Sequence, residues 1–436
     1  MKGSAQTVVI TGARLTDPSV GIDDARDMAL TGGKVSEVAP RIEPPPGSVV
    51  IDASGLWLWP GLVDVHVHFR EPGYTEKETL RTGSLAAAAG GYTSVVCEPN
   101  TDPAIDSCER ARQVLERART SALINVYVKA AITCGRLGQE LTDVAALSNE
   151  DGVVAFSDDG DPLVSRDMME RACQAVVALD GLLSPHCEDS PRARELYTEG
   201  VDPGFEPGPS HWNEAAYIER DLGIAFETGC RVHFSHVSLA RSVELVEDFR
   251  RAQDGDGRVT FEVTPHHFLL SKDAFSAGEL PKVNPPLRSE NDREALVGTL
   301  TSGVADVIAS DHAPHTQADV AEGASGLIGL ETTLGVVLTR FVHTGALSRL
   351  RAVELMSTAP ARIFGLPGGT LEPGTAADFV LIDPRKEWTV DPAQFRSKSR
   401  NAAFPGWDLR GRAAATYRAG NQVYSEPDFS DRITRK

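Results

Sequence analysis

Cysteine is scarce in this chain and shows no pairing pattern. The 436 residues hold six, Cys97, Cys108, Cys134, Cys173, Cys187 and Cys230, and none forms a Cys-x-x-Cys pair. That argues against a disulfide framework and for reduced, mostly buried thiols in a cytoplasmic protein. Long apolar runs are also missing: no stretch reaches the ~18 uninterrupted residues that a membrane span needs. The opening Met1-Lys2-Gly3-Ser4 leads into a short strand-like run rather than a leader with an apolar core. Basic residues are the minority, 43 against 62 acidic, for a formal charge of -19. Nucleic acid is thereby a poor main partner, because phosphate binding wants a basic surface. A small anionic substrate remains open, provided that local positive charge receives it.

What is present is punctuated in two styles. Residues 7–11, 28–38 and 48–52 read as short strands between Gly, Pro and Asp turns, and so do 377–383 and 414–424 near the other end. Glu43-Pro44-Pro45-Pro46-Gly47 interrupts any helix. The two groups together suggest a small β-sandwich built from residues 1–60 and 368–436. Between them, apolar strand candidates at 62–70, 93–99, 124–132, 153–158, 182–187, 232–237, 259–265 and 305–310 alternate with Ala- and Leu-rich helical stretches at 76–90, 106–119, 165–180, 213–229, 238–253 and 290–302. Eight such units over 61–367 are the profile of a (β/α)8 barrel of the TIM type, an α/β fold whose catalytic residues gather at the carboxyl ends of the strands.

Those strand ends are unusually polar. The first runs Gly61-Leu62-Val63-Asp64-Val65-His66-Val67-His68-Phe69-Arg70. With a side-chain period of two, His66 and His68 leave the same face of a strand, and Arg70 points with them. Later strands end in Glu98-Pro99-Asn100-Thr101, Ser157-Asp158-Asp159, His186-Cys187-Glu188-Asp189, His233-Phe234-Ser235-His236, Thr264-Pro265-His266-His267 and Ser310-Asp311-His312. Any one of them could be a cap or a turn. As a set they suit a two-metal site: one ion on His66, His68 and Asp311, a second on His186 and His236, and an aspartate of the Asp158-Asp159 pair as bridge, with Asp159 preferred. Imidazole and carboxylate donors without thiolate fit zinc, with manganese or cobalt as substitutes.

From Ile51 to Trp407 the chain resembles the amidohydrolase superfamily, and more closely the bacterial class I dihydroorotases. The segments that carry the resemblance are PGLVDVHVHFREPG (60–73), EPNT (98–101), AFSDDG (155–160), HCED (186–189), SHVS (235–238), EVTPHH (262–267), KVNPPLR (282–288) and SDHAPH (310–315). The resemblance implies that His66, His68, Asp159, His186, His236 and Asp311 hold two zinc ions, with Asp159 as bridge in place of the carboxylated lysine of many relatives. It implies that Arg70, Asn100 and His315 hold the substrate carboxylate beside His68, that Asn284 meets the ring amide, and that Asp311 is the catalytic proton carrier. Ser325 and Gly326 are weaker substrate contacts. The implied reaction is the reversible opening of dihydroorotate to N-carbamoyl-L-aspartate in pyrimidine biosynthesis. A dihydropyrimidinase or allantoinase is the nearest alternative, and a non-catalytic partner of aspartate carbamoyltransferase the other. An active enzyme could equally dock with that transferase or form a homodimer.

Two places depart from the family text. Glu98 stands where Met is common, which predicts a more acidic rim near Asn100. The loop 316–330 reads Ala324-Ser325-Gly326 instead of Pro-Phe-Gly and is expected to be a mobile lid or a plain surface loop. Lys129 is expected to be structural or at the rim, and Cys187 to pack on the far face of its strand. His233, His266, His267 and His312 are expected to be hydrogen-bonding neighbours of the site, and His211 and His343 structural or exposed.

Overall fold

The computed structural model describes residues 7–188, 190–206, 213–255, 257–276 and 278–436, so the reading of His211 lies outside the described residues. In chain order the strands are β1 (Thr7–Asp17), β2 (Ile22–Thr31), β3 (Lys34–Ala39), β4 (Val49–Asp52), β5 (Trp57–Pro60), β6 (Leu62–Val67), β7 (Tyr92–Cys97) and β8 (Asn125–Ala130). They continue with β9 (Val153–Phe156), β10 (Val232–Phe234), β11 (Val259–Val263), β12 (Val307–Ile308), β13 (Phe379–Thr389), β14 (Asp408–Arg418), β15 (Asn421–Ser425) and β16 (Ile433–Arg435).

The two ends of the chain meet in one nine-stranded sheet, ordered β15-β14-β13-β5-β1-β2-β3, with β4 beside β1 and β16 beside β4. Apolar side chains of alternating position, among them Ile10, Leu15, Met28, Leu58, Phe379 and Leu381, fill its core. Two expected strands are each split into a hairpin. The stretch 28–38 breaks at Gly32 and Gly33, whose φ of 61° and 78° supply the turn that matches strand twist. The stretch 414–424 breaks at Ala419 and Gly420, also at positive φ.

The centre of the chain is parallel. β6-β7-β8-β9 form one sheet and β10-β11-β12 another. Leu183 bridges Phe156 to Val232, and His312 bridges to Val67, in each case parallel. The segment expected as a strand at 182–187 therefore enters the ladder only through its beginning, since Pro185 brings no amide hydrogen to continue it. Helices at Leu80–Ala89, Cys108–Ser121, Arg166–Val177, Ala240–Ala252 and Glu290–Ser302 follow the expected spans closely. Several start on hydroxyl caps, with Thr79 and Ser289 each in a reciprocal capping box. Helix Arg166–Val177 buries Met168, Met169, Ala172, Cys173 and Val176, the stripe its apolar spacing dictates. No helix among the described residues is long and apolar enough to cross a membrane.

The link between β13 and β14 does not stay with the terminal sheet. Val390, Phe395 and Phe404 pack with Leu270, Val283, Leu287, Leu327 and Ile328 of the central region. Residues assigned by sequence to the sandwich thus cover one side of the mouth of the site.

Candidate active site

The carboxyl ends of β6, β9, β10 and β12, with the segment after Leu183, bring the predicted ligands together. Asp159 sits among four imidazoles: its Oδ1 lies 3.4 Å from His66 Nε2, 3.4 Å from His186 Nδ1 and 3.5 Å from His236 Nε2, and its Oδ2 3.7 Å from His68 Nε2. Asp311 Oδ1 lies 3.2 Å from His68 Nε2 and 3.7 Å from His66 Nε2. Donor atoms converge closely enough to share a cation in two sets, His66-His68-Asp311 and His66-Asp159-His236. The first set is the one expected. In the second, His66 replaces His186, which instead meets His236 at 2.8 Å between ring nitrogens.

The surrounding hydrogen bonds fix which nitrogen faces inward. His66 Nδ1 donates to Glu262 Oε1 at 2.6 Å, so Nε2 is the nitrogen that faces Asp159. His68 Nδ1 donates to Asn100 Oδ1 at 2.9 Å, while the Asn100 amide donates to Asp159 Oδ2 at 3.1 Å. Ring nitrogens and carboxylate oxygens therefore crowd one another at short range: burial works against a charged His66, but Glu98, Glu262 and Asp159 hold its imidazole well above the usual histidine range. His66 Nε2 and Asp159 Oδ1 are buried without hydrogen-bond partners among the described residues. A divalent cation satisfies such an arrangement, and the outward contacts to Glu262 and Asn100 are the outer support that metal-bound histidines use. Burial opposes the ionised form of Asp159, but His66, His186 and His236 hold its carboxyl well below the usual range. Burial likewise works against ionised Asp311, and the hydrogen bond with His68 and the charge of His66 outweigh it. Asp158 points elsewhere: it accepts from the amides of Ile132 and Thr133 and from the Thr133 hydroxyl.

Three residues of the cluster hold left-handed backbone, Arg70 at φ 58°, His236 at 34° and Asp311 at 46°. For residues with a Cβ this costs on the order of 1–3 kcal/mol each, so the surrounding structure must impose it. Asp64 is one of the imposing groups, accepting from the amides of His66 and Ser310 on either side of the site.

Beside this cluster opens a cavity of about 190 Å³ lined by His68, Arg70, Asn100, Asn284, His315, Ser325 and Gly326, together with Asp159, His186, His236 and Asp311. Every residue expected to touch substrate lines this one space, which suits a small molecule rather than a polymer. Arg70 Nε donates to Pro314 O at 3.2 Å, and its Nη2 lies 3.3 Å from His315. No carboxylate forms an ion pair with Arg70 among the described residues. Burial lowers its guanidinium to about 10, which leaves it cationic at neutral pH. His315 donates from Nε2 to Ser325 O at 2.9 Å, and burial with the nearby charges of Arg70 and Lys77 brings it down to about 4. The loop 316–330 is tied at several points: Gly326 N donates to Lys282 O, Asn401 Nδ2 donates to Gly326 O, and Ile328 N donates to Asn401 O. Gly326 is at φ 146°, and a Cβ there would lie 2.6 Å from Ala313 O, so the loop closes on the site only with glycine at this position.

Several expectations need correction. Glu98 does not acidify the rim; it is buried beside His66 in an ion pair with Lys129, which is interior as well. The strand alternation that turns Val96 and Glu98 to one side would have shown this. Glu262 carries the support of His66 and also accepts from His233 Nε2 at 3.1 Å, a role no motif assigned it. Its signal was an acid at an inward position of an apolar strand. His266 comes within 3.9 Å of Asp311, while His267 is spent on Thr264 and Pro285 and His312 on Gly329 and Glu78. His343 is half-buried against Trp57, and Cys187 is buried.

Comparison with known proteins agrees with this geometry. Residues 55–242 match the Dihydro-orotase-like family and 282–424 the Amidohydrolase family. A dihydroorotase of Pelotomaculum thermopropionicum is 42% identical, aligned over 98% of this chain and 100% of its own. One from Citrifermentans bemidjiense is 40% identical over 96% and 99%. Among solved structures, the L-hydantoinase (dihydropyrimidinase) of Arthrobacter aurescens superposes with a TM-score of 0.84 at 26% identity, covering 97% of this chain and 96% of that one. The dihydropyrimidinase of Brevibacillus agri reaches the same TM-score at 22% identity, covering 96% and 95%, and speaks to the fold alone. The fold is thus the α/β fold of metal-dependent cyclic amidohydrolases, and, matched from end to end by such relatives, the chain belongs to the dihydroorotase family.

Proposed function

We propose that this protein hydrolyses the ring of dihydroorotate to N-carbamoyl-L-aspartate and closes it again in the reverse direction. The observation that carries the substrate choice is Arg70, a cation facing the cavity whose polar contacts are a carbonyl and a neutral imidazole. A guanidinium there suits the planar fork of a carboxylate. Dihydroorotate has one; the rings opened by dihydropyrimidinases and allantoinases do not.

In this reading the eight central segments form a closed barrel over 61–367, supported by the bridges at Leu183 and His312, and residues 1–60 and 368–436 form the accompanying β-sandwich. His66, His68, Asp159, His186, His236 and Asp311 would hold two zinc ions, Asp159 as bridge. Bound there, the ions would supply Lewis acidity for the ring carbonyl and a hydroxide source at neutral pH. Asp311, ionised and turned into the cavity, accepts the proton of the attacking water and passes it to the ring nitrogen. The carbon–nitrogen bond breaks, the carbonyl carbon leaves as a carboxylate, and the nitrogen becomes the ureido NH2. Arg70 and His315 bind the substrate carboxylate, and Asn284 meets the ring amide edge. Asn100 joins them by sharing its amide between Asp159 and the substrate. Ser325 and Gly326 close the cavity, the first through the carbonyl that orients His315.

Turnover of L-dihydroorotate by zinc-loaded protein, beside metal-free protein and Asp311→Asn, tests this reading. Ring opening is expected in the loaded wild type, and the variant is expected to lose about 10³-fold. Hydrolysis of hydantoin or allantoin in place of dihydroorotate would move the assignment to a sister amidase. No turnover of any ring by metal-loaded protein would point to a docking role.

A further inference from the structure

Beside His66 lies a charged pair that the reaction does not use. The side chains of Glu98 and Lys129, at the carboxyl ends of neighbouring strands β7 and β8, are both 0% exposed and form an ion pair. Lys129 Nζ also donates to Ser184 Oγ at 2.9 Å, and Ser184 Oγ meets Ser235 Oγ at 3.1 Å. These serines stand two residues before His186 and one before His236. The carboxylate oxygen that meets Lys129, Glu98 Oε1, also approaches His66 Nε2 to 3.7 Å. The carboxylate oxygens have no hydrogen-bond partner among the described residues beyond the ion pair itself.

As a source of stability this pair is a poor investment. Taking two charges out of water costs several kcal/mol each, and apolar side chains of the same volume often serve as well or better. The pair is also oriented. Its negative end faces the ring nitrogen assigned to a cation, and its positive end is drawn away to Ser184. Burial raises the Glu98 carboxyl above its ordinary range, and the neighbouring charges of Lys129 and His66 work against that rise.

We propose that Glu98 and Lys129 are a positioning pair for the metal centre, a buried dipole that strengthens cation binding at His66. The proposal rests on the metal reading above. Its test is the double variant Glu98→Met/Lys129→Met, which removes both charges and keeps the volume. Zinc affinity of wild type and variant is measured by competition with a chromophoric chelator, and the Tm of each metal-free protein is recorded. The expected result is a Tm equal to or above that of wild type together with a zinc affinity about 10- to 100-fold weaker, the usual consequence of removing an outer partner of a metal ligand. Equal affinity at equal Tm would overturn the proposal and leave the pair as interior filling. Should the double variant not fold, Glu98→Gln decides: it keeps the shape and the contact with Lys129 but removes the negative end. A loss of at least about tenfold is expected, and wild-type affinity would overturn the proposal. If wild type itself bound no zinc, the metal reading would fall first and the proposal with it, a result distinct from equal affinities.

Discussion

The terminal sheet and the central region fill their interiors with opposite chemistry. Under the sheet, Ile10, Leu15, Met28, Leu58 and Phe379 are packed as a plain apolar core, with Phe379 and Tyr417 stacked at 4.5 Å between ring centroids. Inside the central strands, side chains just as buried include His66, Glu98, Lys129, Asp159, His233 and Glu262. The first interior gains free energy from every group it hides. The second must spend it, because each buried charge needs a partner placed by another strand. Stability and chemistry should therefore separate under mutation.

The sharpest separation is expected at Phe379. Phe379→Ala opens a cavity in the apolar core and should cost about 3–5 kcal/mol of unfolding free energy. Below its lowered Tm, the variant should turn over substrate at the wild-type rate. Denaturant unfolding paired with steady-state kinetics checks this. A large loss of kcat at full folding would mean that the sheet shapes the site, and the contrast between the two interiors would fail.

Arg70→Met probes the other side of the comparison. It removes a partly buried cation without opening a void, so Tm should hold or rise slightly. A hydrogen bond from a charged group is worth about 1.5–3 kcal/mol, so KM for dihydroorotate should increase by roughly 10- to 100-fold with a smaller change in kcat. Unchanged KM would separate Arg70 from the substrate carboxylate and reopen the uncharged rings.

The two interiors were also unequally legible. Polar residues at strand ends announce themselves, because His66, His68, His186, His236 and Asp311 have no reason to sit in apolar runs except a shared site. Helix limits could be read from caps such as Ser165 and Ser289. What one sequence conceals is which strands are neighbours. Glu98 and Lys129 are 31 positions apart and look like two separate oddities until β7 and β8 are side by side. Glu262 reads as a lone acid until His66 is seen across the interior. Asn401 lies among residues that pattern with the terminal sheet, yet its amide holds Gly326 at the mouth of the cavity. Turn chemistry was underweighted as well: Gly32-Gly33 signals a hairpin, and apolar residues on both sides masked it.

A smaller effect lies on the seam between the regions. Asp23 of β2 accepts from Arg349 at 2.8 Å, at the start of helix Arg349–Val353, and from Arg14 at 2.9 Å. Burial raises the carboxyl, but the hydrogen bonds from the two guanidinium groups prevail and bring it down to about 2. A folded-state value below that of the unfolded chain means that this contribution is fully present above about pH 4. It is lost as pH falls through about 2. Asp23→Asn should therefore narrow the difference in stability between pH 5 and pH 2.5, and at neutral pH it should cost no more than about 1 kcal/mol, as befits a pair partly open to water. Thermal unfolding across that range tests it. If the variant and wild type lost stability in parallel, the seam would be held by apolar contact alone, and the acid sensitivity of the protein would have to come from the charged interior of the central region.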